Sequence, residues 1–152
     1  MKYWFAKVYY FVTTHELAAI DSAVYLYPHM KMQEVAQFHA AYKANLDAWN
    51  AGNKDKVEAH WKKAFEAAES EQGGSLLKPR SMELMHALLP SMQAHIRFDL
   101  PRAIATCFAL HHGGIPGTSM ADFRTDFDGM GPVFDKAQTS LLSEIKDDTW
   151  QG

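Results

Sequence analysis

The sequence carries a single cysteine, Cys107, among 152 residues. No disulfide can close within the chain, so the fold must be held by packing, and the lone thiol fits a reducing compartment. Long apolar runs are missing too. The N-terminal stretch rich in Tyr, Trp, Phe and Val is interrupted by Lys7, Thr13, Thr14, His15 and Glu16. It therefore lacks both the unbroken apolar segment of a signal peptide and the length of a membrane span. The expectation is a soluble, cytoplasmic protein with no membrane partner. Basic clusters are also absent: 15 Lys and Arg face 18 Asp and Glu, for a net charge of −3. Nucleic acid and anionic lipid surfaces have no electrostatic attraction to such a chain.

Several catalytic signatures lack an essential member. His15-Glu16 has no second histidine four residues on, as a zinc-protease helix requires. Glu83-x-x-His86 has the spacing of a di-iron motif but no second copy. His112-Gly113-Gly114 resembles an esterase oxyanion loop without the Gly-x-Ser-x-Gly that would supply a nucleophile. Asp126-x-Asp128-Gly129 lacks the terminal Glu of a calcium loop. Cys107 has no histidine at a local catalytic spacing and reads as a small core residue. Internal repeats are missing as well.

What is present is helical periodicity. Tyr3 to Tyr27 reads as one or two helices with a break at Thr13-Thr14, because the β-branched run Val8 to Val12 has no second alternating stretch to pair with as a strand. Val35, Phe38, Tyr42, Leu46 and Trp49 form one stripe, ended at Asn50-Ala51-Gly52. Val57, Trp61, Ala64, Phe65 and Ala68 form the next over Lys54 to Ser70, and the short connection predicts an antiparallel helical hairpin. Gln72 to Arg80 is a loop. Pro90 predicts a kink near His86 to Leu89, and Pro101 predicts a stop, with Asp99 capping a new helix from Pro101 to Leu110. After the turn-rich His111 to Gly117, Met120 to Phe127 and Pro132 to Ile145 read as two shorter helices. Residues 118 to 152 hold seven acids against three bases, a solvated acidic face. The pattern predicts an all-α single domain over 1–152, a bundle of about five to seven helices with a kinked central helix.

On that central helix Met85, Leu88, Met92, His95 and Asp99 recur at steps of three and four. All five share one side, and the last two are polar. An imidazole and a carboxylate four residues apart can touch, so the seam aims an acid/base or metal-ligand pair at the interior. A carboxylate there would be costly to ionise unless hydrogen-bonded, and the bond would fix the histidine's tautomer.

The residues around that pair carry a resemblance. Ala94-His95-Ile96-Arg97-Phe98-Asp99-Leu100-Pro101 is similar to the hallmark of a bacterial family of unknown function, which runs approximately Ala-His-Ile-Asn-x-Asp-Leu-Pro. Phe38-His39-Ala40-Ala41-Tyr42 with Leu46-Asp47-Ala48-Trp49, and Trp61-x-x-Ala64-Phe65, resemble that family's two preceding helices. Arg97 stands where the family pattern has Asn, and Pro90 where Gly is more usual; His39 and His60 lie outside the pattern. The resemblance implies a helical fold and draws attention to His95 and Asp99 without supplying a reaction.

Two functions of different class follow. In the first, an enzyme acts on a small, largely apolar molecule, with His95 and Asp99 as the acid/base pair and Tyr42, Trp49, Trp61 and Phe98 binding the substrate, alongside Trp4 and Phe38. Lyase, isomerase, cyclase and hydrolase chemistry all fit. A metal variant makes His95 and Asp99 ligands of zinc or iron, joined by His39 or His60. In the second, the pair is a buried structural tie in a non-catalytic bundle that binds a small molecule or a protein partner, a second copy of itself included.

Overall fold

The computed structural model describes residues 2–70 and 88–150, with side chains at 5–70 and 88–144. Among the described residues there is no strand, and the protein is all-α. Helix α1 spans Lys2–Asp21 and α2 Pro28–Asn50. A 3-10 turn at Lys54–Lys56 precedes α3, Ala59–Ser70. Residues 88–94 are α-helical and run through a π-helical turn, His95–Asp99, into α4, Leu100–Cys107, and a second π turn at Phe108–His112. A 3-10 turn at Met120–Phe123 leads into α5, Arg124–Asp128, and after Gly129-Met130 the chain continues as α6, Gly131–Trp150. No helix among the described residues is long and apolar enough to cross a membrane.

Several local expectations are corrected. Thr13-Thr14 does not break α1, which is one continuous helix. The third helix begins at Ala59 rather than Lys54, because Val57 is extended (φ −84°, ψ 128°) and the Glu58 amide donates to Asn45 Oδ1 at 2.8 Å. Gly52 supports the preceding turn at φ +75°, a conformation that costs glycine little. Pro101 does not stop the chain, and Asp99 does not cap a new helix. The turn widens instead: the Leu100 amide reaches back five residues to the His95 carbonyl. A wider turn relieves the clash that a proline ring makes with the carbonyl four residues earlier and absorbs the missing N–H. The helix therefore continues, with Pro101 exposed. Pro90 lies within the helical residues 88–94. The Gln72 to Arg80 loop, Met85, Glu83-x-x-His86 and most of the expected kink at His86 to Leu89 fall outside the described residues.

The chain gathers into two compact units, the first Met1–Phe5 with Ala36–Thr106, the second Ala6–Val35 with Cys107–Gly152. In the first, Trp61 and Ala64 are fully buried, and Phe5, Tyr42, Trp49, Phe65 and Leu88 are also buried. The buried register of its last helix runs Leu88, Ser91, His95, Asp99, Ala103. In the second, Met30, Phe123, Met130, Val133, Ala137 and Cys107 are buried. Burial pushes the Cys107 thiol up to about 11, the mark of an inert core thiol. Asp126, also buried, accepts from the Leu26 and Tyr27 amides at 2.9 and 2.7 Å and so satisfies donors at the entrance to α2.

Candidate functional site

The π turn carries both members of the expected pair inward. Asp99 is 1 % exposed and His95 5 %. His95 Nδ1 lies 3.4 Å from Asp99 Oδ2, a long contact that is one of four on the carboxylate. Trp61 Nε1 donates to the same Oδ2 at 2.8 Å. On Oδ1, Arg102 Nη2 donates at 2.8 Å and His60 Nε2 lies at 3.2 Å. Arg102 also holds Glu58 through Nη1 at 2.7 Å.

These contacts and the burial bias the protonation of the pair. Burial opposes the charged form of Asp99, but the bonds from His95, Trp61, His60 and Arg102 outweigh it and hold the carboxyl below its ordinary value. Asp99 is ionised at neutral pH. Burial pushes the His95 pKa down, against the pull of Asp99, so the ring is neutral. An ionised carboxylate can only accept, so the His95 proton sits on Nδ1 and the basic lone pair on Nε2.

Rings surround the imidazole. Phe38 stacks on it with centroids 3.4 Å apart and planes 12° from parallel. Phe5, Trp61 and Tyr42 meet it edge-on at 5.4, 5.8 and 6.1 Å. Phe5, Tyr42 and Trp61 are buried, whereas Phe38 is of intermediate exposure.

Of the residues expected to line a substrate site, Tyr42 and Trp61 are therefore at His95. Trp49 instead packs on Phe65 at 5.4 Å, and its Nε1 donates to Glu69 at 2.7 Å. Phe98 is half exposed and stacks on His60 at 4.6 Å, at the outer edge of the carboxylate network. Of the expected metal ligands, His60 does reach Asp99, but His39 is exposed on α2. Among the described residues no group of three or more His, Cys, Asp or Glu is arranged to hold a metal ion. The described side chains therefore do not form the expected zinc or iron site.

Sequence reasoning missed Arg102 and Glu58, which tie Asp99 to the surface. Arg102 follows Asp99 by three residues, a helical spacing that could have revealed it. It also missed a second polar centre in the other unit. Lys31 is buried between Glu16, at 3.1 Å, and Glu34, at 3.1 Å, with Met130 Sδ at 3.1 Å, and Tyr25 donates its hydroxyl to Glu16 at 2.7 Å. Burial pushes the Glu34 pKa up, against Lys31. Lys31 stands four residues before Val35 and seven before Phe38, so its place in the apolar register of α2 was the available signal.

An all-helical domain with an ionised aspartate beneath a ring-enclosed histidine is thus the class of protein at hand. The chain belongs to the family of unknown function DUF5995, whose model matches residues 2–151. Comparison with curated proteins and with solved structures returns no match.

Proposed function

We propose that the protein is an enzyme acting on a small, largely apolar molecule by acid/base chemistry, with His95 Nε2 moving the proton and Asp99 holding the ring. The observation that carries this reading is the set of four contacts on buried Asp99, which keeps it ionised and fixes the His95 tautomer. A neutral imidazole whose other nitrogen is bound to a carboxylate is prepared to accept a proton without reorganisation. Phe38 supports a route in: among the described rings on His95 it is the one that is partly exposed, so a substrate reaches the imidazole by displacing that ring. Lyase, isomerase, cyclase and hydrolase chemistry all remain compatible with such a base.

A second reading has its own support. Both polar groups are enclosed by packed side chains, as a structural tie in a binding bundle would be. A panel of small uncharged enolisable ketones and epoxides, none of them an ester, assayed with purified protein, separates the two. The enzyme reading expects turnover that falls at least ~100-fold in His95→Gln, the scale of general acid/base catalysis, with helical circular dichroism retained. Turnover unchanged in that variant contradicts it. A panel without turnover, together with His95→Gln and Asp99→Asn proteins that are merely less stable, establishes the structural tie.

A further inference from the structure

A second place in the molecule brings a hydroxyl and an imidazole together at an opening to solvent. His15 on α1 and Ser140 on α6 lie within the second compact unit, with His15 Nε2 3.1 Å from Ser140 Oγ. Both are of intermediate exposure. They line a groove of about 360 Å³ together with Asp135, Lys136 and Thr139. Hydroxyls within helices usually turn back onto the carbonyl one turn earlier. Thr139 and Ser143 on the same helix do so, donating to the Asp135 and Thr139 carbonyls at 2.9 and 3.2 Å. Ser140, between them, meets His15 across the helix pair instead.

We propose that Ser140 and His15 form a nucleophile and base that accept an acyl group from a small carboxylic ester bound in this groove. The pairing has the reach such chemistry needs, since a base within hydrogen-bond distance of a hydroxyl takes its proton as the oxygen attacks. In the first step Ser140 Oγ bonds to the ester carbonyl carbon while its proton passes to His15 Nε2. The ester C–O bond then breaks, and His15 returns the proton to the departing alcohol. Water, deprotonated by the same nitrogen, hydrolyses the acyl-serine and regenerates the hydroxyl. Lys136, one turn before Ser140 and lining the groove, supplies positive charge for the developing oxyanion. Asp135 lies in the same lining, so the groove carries both signs and suits a neutral or zwitterionic ester better than a strongly charged one.

The test uses the full chain and a fluorophosphonate, which phosphonylates an activated serine as fluoride leaves. Peptide mapping by mass spectrometry is expected to find the label on Ser140 and not on Thr139 or Ser143. The labelling rate should fall at least tenfold in His15→Gln, and the label should be lost in Ser140→Ala. In the unmutated protein, p-nitrophenyl acetate should slow labelling of Ser140, which keeps the test independent of whether the variants fold. An unlabelled Ser140, a labelling rate unchanged in folded His15→Gln, or no protection by the ester overturns the proposal. None of these results bears on His95, so this site and the His95 centre stand or fall separately.

Discussion

Trp61 Nε1 and His95 Nδ1 converge on one oxygen, Asp99 Oδ2, at 2.8 and 3.4 Å. The shorter bond belongs to the indole, so Trp61 anchors the carboxylate and His95 is oriented by what Trp61 has fixed. Trp61→Phe keeps most of the buried ring area but deletes the donor. Loss of a hydrogen bond to a charged group predicts a decrease of about 1.5–3 kcal/mol in urea unfolding. A decrease no larger than a few tenths would show that the indole bond does not hold Asp99.

The pH dependence has one sign from both members of the pair. His95 has its pKa pushed below the ordinary 6.5 by burial, so the unfolded chain takes up a proton first and stability falls as pH drops below about 6.5. Asp99 is held below its ordinary 3.8, because its four bonds outweigh the burial that opposes its charge. Its contribution is present above 3.8 and lost as pH falls below it. Urea midpoints measured from pH 8 to pH 3 should therefore decline in two stages. His95→Gln should remove the upper stage and Asp99→Asn the lower; a midpoint independent of pH between 7 and 5 would contradict the buried neutral imidazole.

Lys31 is held between two buried carboxylates, Glu16 and Glu34, in the second unit. Lys31→Met leaves both acids without it and should cost about 3–5 kcal/mol, the scale for stranding a buried charge. Glu34→Gln removes the acid whose charge burial already disfavours, and its cost should be clearly smaller. Comparing the two variants by thermal and urea unfolding checks the order, and an equal or reversed ranking would refute the assignment of Lys31 as the hub.

The all-α class and the inward aim of His95 and Asp99 were legible because apolar spacing at three and four reports which face of a helix is buried. The behaviour of Pro101 was not. Local rules predict a stop there, and a π turn that accommodates the proline is decided by what the widened turn gains, namely Asp99 brought among Trp61, His60 and Arg102. Trp61 and His60 come from a helix nearly forty residues away in sequence, and no spacing rule within one helix reports such a meeting. Lys31 was only half legible for a related reason: its register was visible, but its partners were not. A charged residue on an apolar stripe reads as a boundary position until its partners on another helix, such as Glu16, are known.

The tautomer of His95 tests the central claim most directly. A long-range proton–nitrogen spectrum of the histidine rings at pH 7.5, assigned with His95→Gln, should show His95 neutral, with its proton on Nδ1 and a bare Nε2. Asp99→Asn should erode that preference. A ring protonated on Nε2 alone, or on both nitrogens, in the unmutated protein would contradict the account.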